Sequence, residues 1–323
     1  MQSAQRLRFK SSQDWNNFIG SNKQLRGQEL FELRRVCYQE IEELRKRPLL
    51  VYATRFLENL PPGTPNFIDI FDVDGFTDLV NSIRESKSAD ILLHSPRGRP
   101  DATERIVSIL RNKFENITFL IPHSAYSAAT MLALSGNTII MHQSATLGPI
   151  DPQIDGIPAR SIKRGFEKVK KIVIEEGPEA LPAYIPLIEK YSLDLLEICE
   201  DSEKLSKELV KTWLTQYMFE GKKGHARRIN KAVNFFSDYD KHLLHSRPIL
   251  FEKLKEYDLK NEQPDKELAE LLWEAYILIN GFFSVAPFVK LYECIHGVSW
   301  GKQLHISMTP QPDQIKAKKQ HNK

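Results

Sequence analysis

A single serine, Ser127, stands among small side chains where a predicted strand turns into a predicted helix. The stretch HSAYSAATMLALSG, residues 123–136, follows the strand-like pattern NITFLIP and continues as an apolar helical pattern. Such a turn lifts the hydroxyl off the sheet, and Ala125, Ala128 and Ala129 leave room for a substrate to approach. The pattern is typical of a nucleophile that attacks a carbonyl carbon. The alternative is that small residues pack the helix on the sheet and that the serine only caps the helix.

Attack on a carbonyl also requires backbone N–H donors for the oxyanion that forms. Because Ser127 begins a helix, the free amide of Ala128 points outward and is a natural donor. A second donor should come from a neighbouring loop at the same edge of the sheet. In the loop HSPRGRP, Gly98 allows the backbone to approach a ligand closely. Both loops follow predicted parallel strands, whose carboxyl ends form the ligand-binding edge of such a sheet.

Strands and helices alternate over the first half of the chain. The strand patterns PLLVYAT, ADILLHS, NITFLIPH and NTIIMH are separated by helical patterns. This order predicts an α/β fold of repeated right-handed βαβ units with a mostly parallel sheet. A charged helix precedes the first strand at residues 27–46, helical patterns dominate from about residue 158, and residues 265–295 are predicted to be helical again.

Three ordered motifs, ILLHSPRGRPDATERIVSIL, IPHSAYSAATMLAL and SATLGPIDPQ, together resemble the serine dehydrogenase proteinase family. That family belongs to the superfamily of signal peptide peptidase A and the Clp proteolytic subunit. The resemblance implies a ClpP/crotonase-like fold in which Ser127 is the nucleophile and the amides of Gly98 and Ala128 form the oxyanion hole. Arg97 and Ala129 stand where the family usually has glycines. Arg97 therefore either narrows the cleft or binds a carboxylate.

The resemblance covers roughly residues 45–175, and SRPILFEKLKEYDL is similar to a further element of the superfamily. The predicted organisation has three parts. An N-terminal helical segment (1–45) precedes a ClpP/crotonase-like serine protease domain (46–260) with a helical insertion at about 158–240. A C-terminal helical segment with a basic tail (261–323) follows.

The motifs do not identify the base that would activate the serine. The Clp subunit uses a histidine and an aspartate, but Pro149 stands where that histidine would lie. His94, His123 and His142 all lie near predicted strand ends. Each of them is better explained as a hydrogen-bonded loop residue than as the base.

The signal peptide peptidase type uses a lysine some tens of residues downstream of its serine. A lysine can act as a base when burial or nearby charge lowers its pKa. Lys168 lies about forty residues after Ser127, so we predict a Ser–Lys dyad with Lys168, and Lys163 and Lys190 are the alternatives. Asp151, in LGPIDPQ, lies where it could orient a base, but it receives no role in this hypothesis.

The sequence therefore favours a serine peptidase that acts on short or unfolded peptides through an acyl-enzyme. One alternative is a crotonase-like acyl-CoA enzyme, which would use the same two amides on a thioester enolate. Another is a non-catalytic scaffold of the same fold. A homo-oligomer is expected because the superfamily assembles as rings or stacked trimers. The apolar stretch around Phe282, Phe283 and Phe288 fits either a subunit contact or a core within the chain.

Composition argues against several other classes. A net charge of +3 over 323 residues is too balanced to imply nucleic-acid binding, and no nucleotide or zinc motif predicts a cofactor or metal. Three distant cysteines favour a reducing compartment. The N-terminus has no apolar leader segment, and AYILINGFFSVAPFV looks too short and interrupted to span a bilayer, which takes about 20 residues. A cytoplasmic location is therefore predicted.

Overall fold

A computed structural model describes residues 6–22, 27–192, 194–221 and 223–304, and the basic tail predicted from the sequence lies outside the described residues. The strands are β1 Leu49–Thr54, β2 Ser88–His94, β3 Asn116–Ile121, β4 Ser124–Ala125, β5 Thr138–Met141, β6 Thr146–Leu147, β7 Gln153–Ile154, β8 Ile157–Pro158, β9 Asn261–Glu262, β10 Phe288–Glu293 and β11 Ser299–Gln303. The α-helices are α1 Ser12–Ser21, α2 Gly27–Arg45, α3 Asp72–Ser82, α4 Pro100–Lys113, α5 Ala128–Leu134, α6 Ala159–Glu176, α7 Ile185–Ile188, α8 Leu195–Trp213, α9 Ala226–Ser237, α10 Tyr239–His242, α11 Phe251–Lys255 and α12 Lys266–Val285. A 3₁₀ segment, Pro178–Ala183, precedes α7, and a π-helical turn, Leu214–Met218, ends α8.

A seven-stranded sheet in the order β11-β10-β1-β2-β3-β5-β9 forms the centre of the molecule. The five strands from β1 to β9 in this order are parallel, and β10 and β11 add an antiparallel edge. The four strands predicted from sequence patterns are β1, β2, β3 and β5, so the predicted α/β class with a mostly parallel sheet is confirmed. The carboxyl ends of β2 and β3 lie side by side, which brings the two predicted loops to one edge.

Both faces of the sheet are covered, as expected for strands that are apolar on each side. Along β1, Leu50 and Tyr52 belong to a core formed with α3, α4, α5, α8 and α9. The alternate residues Leu49 and Val51 belong to a second core on the other face, formed with α1, α2 and α12. The sheet is thus a rigid middle layer that holds the loops at its carboxyl edge.

The C-terminal part is not helical throughout, contrary to the prediction for residues 265–295. Helix α12 ends at Val285, and β10 then pairs antiparallel with β1, with Val51 opposite Glu293. Pro287, which cannot donate a backbone hydrogen bond, marks this change of direction. Strands β10 and β11 lie within the predicted C-terminal helical segment (261–323), and they complete one edge of the central sheet.

Helix α12 is the one described helix that is long and apolar enough to cross a membrane by length and composition. About 67% of its apolar stretch is buried within the fold, where it packs against α2 and the sheet. The helix continues through Asn280 and Gly281. At Gly281 a Cβ atom would come within 2.4 Å of the Trp15 ring, so the glycine permits close packing of α1. Phe282 and Phe283 are buried in the same core, so they give no support to a subunit contact.

Candidate active site

Ser127 has a backbone conformation that non-glycine residues rarely adopt. Its φ and ψ are 55° and −120°, and it stands immediately before α5 without making a side-chain capping hydrogen bond. Strained conformations of this kind persist where the surrounding structure enforces them, and they are common at active sites. The helix behind the serine is fully buried, and the Thr130 hydroxyl donates to the carbonyl of Ala125 at 2.7 Å. The simple capping interpretation of Ser127 is therefore not supported.

The Ser127 side chain faces a cavity of about 280 Å³, which we call the Ser127 cavity. Its wall includes Gly98 and Ala128, the two residues predicted to supply oxyanion donors. It also includes Arg97, the residue that departs from the family pattern. The structure therefore brings together all of the predicted site residues except the lysine.

Backbone pairing with Ile68 fixes the direction of the Gly98 amide. The N–H of Ile68 donates to the carbonyl of Arg97, and the N–H of Arg99 donates to the carbonyl of Ile68, both at 2.9 Å. Because successive backbone groups in an extended segment point to opposite sides, the N–H of Gly98 points away from Ile68. A Cβ atom on Gly98 would lie 2.5 Å from Cβ of Ile68, so only glycine fits this close approach.

Hydrogen bonds also hold this loop in register with the serine turn. The N–H of Ser95 donates to the carbonyl of Ser124 at 3.1 Å, and the N–H of Tyr126 donates to the carbonyl of Ser95 at 3.0 Å. Beyond the turn, the N–H of Gly148 donates to the carbonyl of Ala125 at 3.1 Å. The HSPRGRP, HSAYSAAT and LGPIDPQ motifs therefore form one small hydrogen-bonded layer at the carboxyl edge of the sheet.

A buried ionic cluster anchors the segment that carries Ile68. The ammonium group of Lys290, on β10, lies 3.0 Å from Asp69 and 2.8 Å from Asp72. The Asp72 carboxylate also accepts the N–H of Asp69 at 2.7 Å and the hydroxyl of Tyr52 at 3.0 Å. The cluster fixes the residues directly after Ile68, so strand β10 helps to position the HSPRGRP loop that pairs with Ile68.

A histidine and an aspartate form a pair at the cavity. Nδ1 of His245 lies 3.0 Å from Oδ1 of Asp151, and His245 belongs to the wall of the Ser127 cavity. Asp151 is only 2% exposed, and its second oxygen has no hydrogen-bond partner within the described part of the chain. Since Asp151 holds Nδ1, the other ring nitrogen, Nε2, is left to accept a proton. The carboxylate thus fixes the orientation of the imidazole ring, and His245 and Ser127 belong to the wall of the same cavity.

The segment before α11 reaches the serine turn through strand-like pairing. Leu147 and Ile249 exchange two backbone hydrogen bonds, at 3.0 and 2.8 Å. Leu243 ends α10 in the left-handed region, with φ 65°, and so turns the chain toward this pairing. These contacts bring His245 beside Asp151, although the two residues are far apart in the sequence.

The structure does not bring the predicted lysine base to Ser127. Lys168 is exposed on α6 and is not part of the wall of the Ser127 cavity. Its neighbours Phe166 and Val169 turn toward a separate groove, and adjacent helix positions point about 100° apart. Of the alternatives, Lys163 pairs with Glu203 at 3.2 Å and Lys190 is exposed.

The three histidines near the strand ends pack on the opposite face of the sheet, against α12. His123 stacks on Tyr276 with ring centroids 4.5 Å apart, and His142 stacks on Trp273 at 5.2 Å. Burial, and to a lesser extent the neighbouring His123, lowers the pKa of His94 to about 3. Burial likewise lowers the pKa values of His123 and His142. None of the three belongs to the wall of the Ser127 cavity.

Within the described residues, no group of three or more His, Cys, Asp or Glu side chains is arranged to hold a metal ion. The Ser127 cavity itself offers a hydroxyl, an imidazole and backbone amides. This set of groups suits acyl transfer.

A sequence profile of the ClpP-like SDH-type serine proteinases matches residues 18–276. The chain belongs to this family. The match extends beyond the predicted protease domain on both sides, in keeping with the contribution of α2 and α12 to the core. The α/β architecture with its mostly parallel sheet is that of a ClpP-like protease.

Curated relatives of this chain include two uncharacterised proteins of Methanocaldococcus jannaschii. One is 31% identical over 195 residues, which cover 56% of this chain and 65% of the relative. The other is 33% identical over 102 residues, or 32% of this chain and 36% of the relative. The chain therefore spans less than two-thirds of the length of either relative. A solved structure of a membrane-bound stomatin-specific protease mutant with a substrate peptide aligns with a TM-score of 0.38 and 14% identity, over 79% of this chain and 94% of that one.

Sequence reasoning about this family member missed His245. One signal was present, because His245 directly precedes SRPILFEKLKEYDL, the segment that resembles a superfamily element. Asp151 stands in a motif where it could orient a base, but no sequence pattern connects a histidine to it. The pairing appears only when the chain is folded.

Proposed function

We propose that the chain is a serine peptidase in which Ser127 attacks the peptide carbonyl, His245 is the general base and Asp151 orients the histidine. The observation that carries this proposal is the 3.0 Å contact between Asp151 and His245 on the wall of the same cavity as Ser127. This triad replaces the Ser–Lys dyad as the proposed mechanism, since Lys168 is exposed and outside that cavity.

The proposed reaction follows from the roles of these groups. Nε2 of His245 takes the proton of the Ser127 hydroxyl as Oγ bonds to the carbonyl carbon. The amides of Gly98 and Ala128 stabilise the resulting oxyanion. The protonated imidazole then donates its proton to the leaving amine, and the C–N bond breaks to leave an acyl-enzyme. A water molecule, deprotonated by the same nitrogen, hydrolyses the acyl-enzyme and restores the serine.

The substrates we propose are short or unfolded peptides, because a cavity of about 280 Å³ accommodates a few side chains and not a folded domain. Assembly as a homo-oligomer and a cytoplasmic location stay predictions from the sequence. Light scattering of the purified chain at micromolar concentration tests the first of these, and a monomer at that concentration would contradict it.

Fluorophosphonate labelling together with peptide hydrolysis tests the proposed activity. We expect the unaltered chain to be labelled at Ser127 and expect Ser127→Ala to lose both labelling and hydrolysis while remaining folded, because the side chain makes no capping bond. Ser144→Ala, a change at an exposed serine outside the cavity, is the matched control and should behave like the unaltered chain. Labelling or hydrolysis that survives in Ser127→Ala would contradict the proposal. Binding of acyl-CoA without any labelling would favour the crotonase-like alternative.

A further inference from the structure

The ionisable side chains that the structure describes on the wall of the Ser127 cavity are all basic. Arg97 and Arg99 flank Gly98, and His245 belongs to the same wall. Within the described residues, no carboxylate belongs to this wall, since Asp151 is buried behind His245. Among the described residues, the wall therefore presents arginine side chains and no carboxylate to a peptide that reaches the serine.

The two arginines differ in their ion pairing: in the part of the chain that the structure describes, Arg99 is hydrogen-bonded to a carboxylate of the protein, and Arg97 is not. The guanidinium of Arg99 is bound by Asp101 through two hydrogen bonds, at 2.7 and 3.0 Å. Arg97 is exposed, and within the described ranges it has no acidic partner. Its guanidinium carbon instead lies 5.3 Å from the centre of the Phe67 ring. Arg97 is thus the cation at this cavity that remains available to a ligand.

The ring below Arg97 belongs to a well-anchored segment. Next to Phe67, the side chain of Asn66 donates to the carbonyl of Arg55 at 3.0 Å, and the backbone of Ile68 pairs with the oxyanion loop. A guanidinium that rests on a fixed aromatic ring loses less conformational freedom when it binds. Arg97 is therefore partly preorganised for a planar anion.

We propose that Arg97 recognises a carboxylate of the substrate close to the scissile bond, so that the preferred substrates are peptides with an acidic group there. This inference rests on the proposed function of the Ser127 cavity. Arg97 directly precedes Gly98, whose amide would face the reacting carbonyl, and an extended peptide advances about 3.3–3.6 Å per residue. The carboxylate therefore belongs to a residue within about two positions of the scissile bond. It comes either from an acidic side chain or from the free C-terminus.

Matched peptides test the recognition directly. A fluorescent peptide of fixed sequence carries glutamate or glutamine at one position, scanned along the chain, and binding is measured by anisotropy in a Ser127→Ala background so that cleavage does not interfere. We expect glutamate to bind about 10–100-fold more tightly at one position, the gain typical of a charge-assisted hydrogen bond. Arg97→Gln should abolish this difference. Arg105→Gln, at an exposed arginine of α4 outside the cavity, should keep it.

A second pair of peptides, identical except for a free or amidated C-terminus, distinguishes the two sources of the carboxylate. A preference for the free terminus that depends on Arg97 assigns the site to a chain end, and a preference for internal glutamate assigns it to a side chain. Equal binding of all matched peptides, or a preference that persists in Arg97→Gln, would overturn the inference.

Hydrolysis by the unaltered chain separates this inference from the proposed function. Arg97-dependent binding of glutamate peptides by a chain that never cleaves would support the inference and contradict the peptidase. Cleavage through Ser127 without any acidic preference would support the peptidase and overturn the inference.

Discussion

Replacement of Asp151 by asparagine tests most directly which base serves the serine. The carboxylate is 2% exposed, and its Oδ1 lies 3.0 Å from Nδ1 of His245. Asparagine has nearly the same shape, so we expect only a small change in the free energy of unfolding. The amide oxygen can occupy the position of Oδ2, which receives no hydrogen bond from the described residues, and the NH₂ group then faces His245. The amide nitrogen should therefore turn toward His245 and donate to Nδ1.

This donation changes the chemistry of the histidine while it preserves the geometry. With Nδ1 accepting a hydrogen bond, the ring proton moves to Nε2, and Nε2 can no longer accept the proton of Ser127. A change of this kind in a Ser–His–Asp site lowers kcat by about 10⁴-fold. We expect a decrease in kcat/KM of about 10³–10⁴-fold for Asp151→Asn, which corresponds to about 4–5 kcal/mol of lost transition-state stabilisation.

The assay is steady-state hydrolysis of one peptide, with urea unfolding of each variant to show that the fold is intact. Lys168→Met is the matched control, since it removes an exposed amine and keeps the apolar stem. Under the proposed mechanism Lys168→Met stays active and Asp151→Asn loses activity. The opposite pattern, with Asp151→Asn fully active and Lys168→Met inactive, would refute the triad and restore the Ser–Lys dyad.

Three further predictions follow from the loop and the buried charges. Gly98→Ala places a Cβ atom 2.5 Å from Cβ of Ile68, so the oxyanion amide must move, and peptide hydrolysis should fall by about 10²–10³-fold in steady-state kinetics. Lys290→Met leaves the fully buried Asp72 without its cation and should lower the free energy of unfolding in urea by about 3–5 kcal/mol. Acidification from about pH 7.5 to about pH 5 should cost about 2 kcal/mol of stability, because the pKa of His94 is lowered from 6.5 to about 3 in the folded chain.

The sign of the pH effect follows from proton binding. Above pH 6.5 the histidine is neutral in both states, and between about pH 6.5 and about pH 3 only the unfolded chain binds the proton, so stability falls as the pH falls. His94→Phe removes this proton and should flatten the dependence of the urea midpoint on pH. An unchanged slope in that variant would show that other groups cause the loss.

The other two predictions have their own controls. Gly165→Ala, at an exposed helix position where a Cβ atom meets nothing within 4 Å, should retain activity and gain about 0.5–1 kcal/mol in stability. Asp72→Asn should recover part of the loss in Lys290→Met, because it removes the unpaired buried charge. Full activity in Gly98→Ala would exclude its amide from the oxyanion site, and an unchanged urea midpoint in Lys290→Met would exclude a stabilising role for the cluster.

Local sequence patterns are sufficient to predict four of the five parallel strands, all except the two-residue strand β9, and the turn at Ser127. Strands that are buried on both faces appear in the sequence as short apolar runs. When a helix connects two parallel strands of one sheet, the connection is right-handed. These rules bring the loops after β2 and β3 to one edge, so the sequence pattern alone places Gly98 and Ala128 near the serine. Strands β10 and β11 are not predicted from local patterns, because the long apolar helix α12 directly before them dominates the hydrophobic periodicity of this region.

The identity of the proposed base depends on tertiary structure alone. His245 reaches the Ser127 cavity through the pairing of Leu147 with Ile249 and the contact with Asp151, and no local pattern encodes contacts between such distant segments. For Lys168, spacing along the chain suggests proximity to Ser127, whereas the structure places the side chain exposed on α6 and outside the Ser127 cavity. Short-range periodicity therefore determined where the Ser127 turn lies, whereas the packing of remote segments decided which side chains share its cavity.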